Sequence, residues 1–132
     1  MKKSIFVGSF VLLLDQFSKF FAPRIGLVIV KNKGIAFGLF PNFAWEVVIF
    51  LLLAVFLVDF LKKRRGYLPP TLILAGGLSN LFDRLYFGYI RDFIDLKIWP
   101  IFNLADVAIC LGVGMILIKE ISKVARRPCK KL

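Results

Sequence analysis

Ser4-Ile5-Phe6-Val7-Gly8-Ser9-Phe10-Val11-Leu12-Leu13-Leu14-Asp15-Gln16-Phe17-Ser18-Lys19-Phe20-Phe21-Ala22 is an apolar run with an aspartate, an amide and a lysine set into its far end. About 20 such residues cross a bilayer as a helix. Three more stretches of this kind follow, so the spans fall at about 4–22, 42–61, 67–85 and 98–118. With 59% hydrophobic and 15% aromatic residues among 132, and a mean hydropathy of +0.81, the excess apolar surface must face something other than water. The expected fold is an all-α membrane protein, a single four-span domain over residues 1–132. No repeat, low-complexity tract or linker divides it.

Met1-Lys2-Lys3 before an apolar run invites a reading as a cleaved secretory signal. No small-x-small cleavage site follows, and Asp15-Gln16 interrupts the run, so the segment is expected to stay. The net charge of +11 could suggest a nucleic-acid partner, but its placement argues for a membrane. Lys2, Lys3, Lys62, Lys63, Arg64, Arg65, Lys119, Lys123, Arg126, Arg127, Lys130 and Lys131 all fall on one side if the spans alternate. That is the positive-inside pattern, with both termini cytoplasmic and the basic residues drawn to anionic head groups.

Two segments are left on the outer face, residues 23–41 and 86–97. In the first, Ile25–Val30 and Ile35–Phe40 flank Lys31-Asn32-Lys33-Gly34, which reads as a small β-hairpin or, alternatively, a re-entrant loop. The second mixes aromatic, aliphatic and charged residues and suits an interfacial strip.

Ionisable groups at bilayer depth cost about 2.5–3.5 kcal/mol on insertion scales, so each needs a reason. Glu46, Asp59 and Glu120 lie near span ends or in the tail and need none beyond solvation. The rest cluster at one level. Asp15, Gln16 and Lys19 lie in the outer third of span one, and Asn80, Asp83 and Arg84 share a face of span three. Asn103 and Asp106 mark the outer end of span four, and Asp92 and Asp95 lie in the connection before it. A purely structural polar network is a weak explanation, because interhelical polar contacts in membranes return only about 0.6–2 kcal/mol each.

The chemistry narrows by elimination. With no histidine, a thiolate–imidazole catalyst and a histidine zinc site are excluded. Cys110 and Cys129 lie on opposite sides of an apolar segment, so no disulfide joins them. Neither a metal nor any cofactor is expected. Paired carboxylates remain: two aspartates sharing a proton can activate water and protonate a leaving amine. Asp95 rivals Asp92 for a place in the pair. A transporter or proton pathway would need polar residues through the full depth, yet residues 50–56, 71–74 and 111–118 are almost wholly apolar. A non-catalytic assembly factor would tolerate Asp→Asn changes at both members of the pair.

Asp15-Gln16-Phe17-Ser18-Lys19, Asn32-Lys33-Gly34-Ile35-Ala36-Phe37-Gly38, Asn80-Leu81-Phe82-Asp83-Arg84, Asp92-Phe93-Ile94-Asp95 and Phe102-Asn103-Leu104-Ala105-Asp106 stand in that order. Together they resemble the motifs of the bacterial lipoprotein signal peptidases. The resemblance implies an intramembrane aspartic endopeptidase of the bacterial inner membrane that removes the signal peptide before a diacylglyceryl-modified cysteine. It implies that Asp92 and Asp106 are catalytic and that Asn80, Arg84 and Asn103 orient them or hold substrate. It also places Asp15, Gln16 and Lys19 near the site, gives Asn32 and Gly34 to the outer segment over bound substrate, and makes Asp83 structural. The implied partners are a diacylglyceryl-modified prolipoprotein and membrane lipids, with the protein a monomer. The chain departs from the family at Ser79, where glycine is frequent, and at Arg91, commonly apolar. Val107 replaces a commonly small or hydroxyl residue. The stretch from Lys19 to Asn32 and the connection from Asp92 to Asp106 are both short, so a reduced outer platform is expected.

Overall fold

The computed structural model of the chain describes residues 2–34, 45–62 and 68–126. Four long helices account for most of them: α1 (Lys2–Phe21), α2 (Trp45–Lys62), α3 (Leu68–Phe87) and α4 (Leu104–Ala125). Two short strands, β1 (Val30–Asn32) and β2 (Ile90–Asp92), form an antiparallel pair with Val30 opposite Asp92 and Asn32 opposite Ile90. The run at 35–40 expected to complete a hairpin lies outside the described residues, as do Cys129 and several of the basic residues, Lys63 and Arg127 among them. Within them, the partner of β1 is the second outer segment. Among the described residues the sheet consists of these two strands of three residues each.

Helix α3 is the hub and packs against each of the other three, while α1 also touches α4. Pro69 and Pro70 fall in its first turn, where the missing N–H groups have no intrahelical partner in any case. The α3–α4 seam is closed by absent side chains. A Cβ on Gly76 would lie 2.4 Å from the Ala105 carbonyl oxygen, and one on Gly112 would lie 2.6 Å from that of Pro69. Small residues permit this backbone approach, the usual basis of helix pairing where lipid removes the hydrophobic drive.

The burial pattern is inverted relative to a water-soluble bundle. Phe6, Phe10, Leu13 and Phe17 of α1 are all more than half exposed, whereas Asp15 and Lys19 are buried completely. Helices α2 and α4 likewise turn Leu51, Val55, Leu111, Leu117 and Ile118 outward. Helix α1 with its 3₁₀ extension, Lys2–Ile25, is long and apolar enough to cross a membrane by length and composition.

The apolar run at 98–118 was expected to be one span, but α4 starts at Leu104. Asn103 terminates it from the N-terminal side: its side chain accepts from the Asp106 N–H while Asp106 accepts from the Asn103 N–H, a reciprocal capping box. Residues 93–102 instead form a loop pinched by an Ile94–Phe102 bridge, with N–H to carbonyl bonds of 2.8 and 3.2 Å exchanged between the two. Its tip holds Lys97 at a φ of 64°. That pinch brings the end of β2 to the start of α4.

Candidate active site

Asp92 and Asp106 meet through Asn103. The Asn103 Nδ2 donates to Asp92 Oδ1 at 2.6 Å, and its backbone N–H donates to Asp106 Oδ2 at 3.1 Å. Each carboxylate takes one further donor: Asn32 Nδ2 to Asp92 Oδ2 at 3.0 Å, and Asn80 Nδ2 to Asp106 Oδ1 at 2.8 Å. Every carboxylate oxygen thus accepts one hydrogen bond from these partners, and a carboxylate oxygen has room for a second. Asp92 is buried, while Asp106 is partly open.

Burial drives the Asp92 carboxyl from the ordinary 3.8 up to about 6, opposed by the Asn32 hydrogen bond. The negative charge of Asp106 raises it further, and the Asn103 bond and the Lys19 charge hold it down. Asp95 has the opposite surroundings. It is on the surface, 2.6 Å from Lys97 Nζ, and its hydrogen bonds from Lys97 lower its pKa. Geometry therefore separates the two aspartates that the sequence left as rivals.

Behind the pair lies a buried ionic cluster. Lys19 Nζ reaches Asp15 at 2.7 Å, Asp83 at 3.2 Å and Asn80 Oδ1 at 3.0 Å. Asn80 Oδ1 also accepts from Asn103 Nδ2 at 3.2 Å, which leaves its amide nitrogen to face Asp106. Asp15 reaches α4 directly, accepting the Ala105 N–H at 2.8 Å, and takes the Ser79 hydroxyl at 2.7 Å. Burying ions costs several kcal/mol each, and only partners this complete offset it.

On the side of β1, Arg84 donates to the Gly34 carbonyl oxygen, and the Gly34 N–H donates to Asn32 Oδ1 at 3.1 Å. Nine of the residues singled out from the sequence, Asp15, Lys19, Asn32, Gly34, Asn80, Arg84, Asp92, Asn103 and Asp106, belong to one connected hydrogen-bond network. Gln16, which the resemblance placed near the site, joins it too, as do Ser79 and Arg91, which the sequence marked only as departures from the family. Gln16 Nε2 donates to Ser79 and Asp83, and Arg91 pairs with Asp83 at 2.7 Å. Their signal was available for Gln16 and Ser79, which share helix faces with Lys19 and Asp83, and absent for Arg91, one more charge in a mixed segment.

The arrangement joins two carboxylates through one asparagine at the start of α4. Against this geometry, the family model for signal peptidase (SPase) II matches residues 7–122. The lipoprotein signal peptidase of Thermodesulfovibrio yellowstonii is 37% identical, covering 86% of this chain and 90% of its own length. That of Moorella thermoacetica is 41% identical, with 78% and 82% covered. A solved structure described as a bacterial membrane enzyme superposes with a TM-score of 0.86 at 25% identity, over all of this chain and 95% of that one. A second, so described, shares the fold with a TM-score of 0.75 at 24% identity, over 90% and 92%.

Proposed function

The chain belongs to the signal peptidase II family, and on that premise we propose that it works as an aspartic endopeptidase with Asp92 and Asp106 as its catalytic pair. Lipoprotein signal peptidases remove signal peptides from prolipoproteins, and that is the activity of this chain. The observation that carries the aspartic mechanism is Asn103 joined to both carboxylates at once, by its side chain to Asp92 and by its backbone to Asp106.

The reaction follows from two carboxylates sharing one proton. The ionised member takes a proton from a bound water, and the oxygen attacks the scissile carbonyl. The protonated member hydrogen-bonds that carbonyl oxygen as its charge develops. In collapse, the leaving nitrogen takes a proton from the pair and the C–N bond breaks, giving a carboxylic acid and an amine. The pair titrates as a unit, so the two roles are written without assigning either residue.

The scissile bond in this reading precedes a diacylglyceryl-modified cysteine, whose acyl chains would lie along the outward apolar side chains. Four spans in a single domain, both termini cytoplasmic, place the pair toward the outer leaflet of the bacterial inner membrane. One-sided basic residues support this topology, and the protein acts as a monomer surrounded by lipid.

The test is cleavage of a lipid-modified prolipoprotein by the reconstituted protein, with Asp92→Asn, Asp95→Asn and Asp106→Asn compared singly. Loss in the first and third with retention in the second is expected. Cleavage retained by Asp92→Asn or Asp106→Asn would remove that residue from the pair.

A further inference from the structure

Asp83 is as heavily used as any carboxylate in the buried cluster, yet its donors, Gln16, Lys19 and Arg91, are different from the asparagines that bond Asp92 and Asp106. Its strongest partner is the residue immediately before Asp92. The Arg91 backbone N–H and Nε reach Asp83 Oδ2 at 3.0 and 3.3 Å, and Nη2 reaches Oδ1 at 2.7 Å. The same Nη2 donates to Gln16 Oε1 at 2.6 Å, and the guanidinium carbon lies 4.3 Å from the Phe87 ring centroid. Main chain and side chain of one residue are thus fastened to α3, and the side chain also to α1.

We infer that Arg91 is a positioning residue for the peptidase reaction, pinning the strand that carries Asp92 to α3 and α1 and neutralising the buried cluster behind the pair. The inference rests on the reading of Asp92 and Asp106 as catalytic. Two independent lines support it.

The first is mechanical. Among the described residues, strand β2 has three residues and one partner strand, and so small a ladder is marginal by itself. Ile90 and Asp92 are buried while Arg91 between them is not, as alternation requires. A slip of one residue would turn Asp92 away from Asn103 and put Arg91 in its place. The fork of Arg91 on Asp83 opposes that slip, and a guanidinium fits a carboxylate in a fixed orientation.

The second is electrostatic. Asp15 and Asp83 bring two negative charges, Lys19 and Arg91 two positive ones, and the cluster sums to zero. Removing Arg91 leaves one net negative charge beside the pair. The other charged groups around Asp92 are Asp106 from α4 and Arg84 from α3, which reaches Gly34. Lys31 of β1 stands opposite Arg91 in register, with its Nζ 5.1 Å from the Tyr89 ring centroid.

The experiment measures kcat and KM against pH for prolipoprotein cleavage in proteoliposomes, using Arg91→Met, Arg91→Lys and the double variant Asp83→Asn/Arg91→Met. Arg91→Met is expected to lose about tenfold or more in kcat, with little change in KM, because misplacing a reacting group acts on the chemical step. It should also move the alkaline limb upward by on the order of half a pH unit, since added negative charge holds the proton on Asp92. Arg91→Lys keeps the charge and loses the fork, so kcat should fall while the limb stays. The double variant restores neutrality and should return the limb toward that of the native chain. Native kcat and pH profile in Arg91→Met, or equal limbs in all variants, would overturn the inference. Should Arg91→Met fail to fold, the Arg91→Lys split decides. Asp92→Asn run alongside separates the two readings: its activity would sink the catalytic pair, whereas its inactivity beside a native-like Arg91→Met sinks only the role of Arg91.

Discussion

Lys19 Nζ lies 3.0 Å from Asn80 Oδ1, and this contact decides which end of the Asn80 amide faces Asp106. An amide can turn over unless its partners are of fixed type. Here a cation holds the oxygen, so the nitrogen must donate to Asp106 at 2.8 Å. Lys19→Met therefore frees the amide and strands Asp15 and Asp83, both fully buried, without their cation. Stability should fall by about 3–5 kcal/mol, the usual cost of breaking a buried pair on one side. Thermal unfolding in detergent measures this, and cleavage assays should show a loss in kcat beyond the loss of folded protein.

Much of this site is legible from local spacing. Asp15 and Lys19 are four apart, and Asn80, Asp83 and Arg84 fit one helical face, so their depth and company follow from periodicity. The long-range facts do not. Nothing local pairs Val30–Asn32 with Ile90–Asp92, because a strand pattern states a face and not a partner. The apolar residues at 98–102 look like helix, but the Ile94–Phe102 bridge holds the end of that stretch in the loop and the reciprocal cap between Asn103 and Asp106 starts α4 at Leu104. Arg91 is invisible for the same reason: its value depends on Asp83, eight residues back around a turn at Gly88, whose φ is 76°.

Asp95 provides the internal control for the choice of Asp92. Both are aspartates three residues apart on the same connection, but Asp95 is held at the surface by Lys97. Exposed pairs of this kind contribute little. Asp95→Asn should cleave prolipoprotein at within about twofold of the native rate, whereas losing a member of a catalytic pair costs several orders of magnitude. A large loss in Asp95→Asn would reverse the assignment.

The pH dependence carries a sign that can be checked. A pair that works with one proton loses activity when that proton leaves, and Asp92 is raised to about 6. The free protein's kcat/KM should therefore decline above about pH 6. The Asn32 side chain donates to the ionised Asp92 and favours it, so removing that donor must raise the pKa. In Asn32→Ala the declining limb should move to higher pH, whatever the change in maximal rate. Movement to lower pH would contradict the hydrogen bond as drawn.

Gly76 links the packing of the bundle to its chemistry. A methyl there would meet the Ala105 carbonyl oxygen at 2.4 Å and Ile109 Cγ1 at 2.8 Å, and the nearer of these is backbone. Gly76→Ala must therefore push the first turn of α4 away from α3. That turn carries Asp106 and is tied to α1 through the Ala105 N–H on Asp15. Overpacking of this kind costs about 1–3 kcal/mol, and here it also widens the gap that Asn80 spans to reach Asp106. Gly114 of α4 has nothing within 4 Å of an added Cβ. Gly114→Ala should leave activity intact and raise stability by up to about 1 kcal/mol, because alanine is the better helix former. Gly76→Ala should lose both activity and thermal stability. Equal behaviour of the two variants would mean that the α3–α4 seam does not hold Asp106 in place.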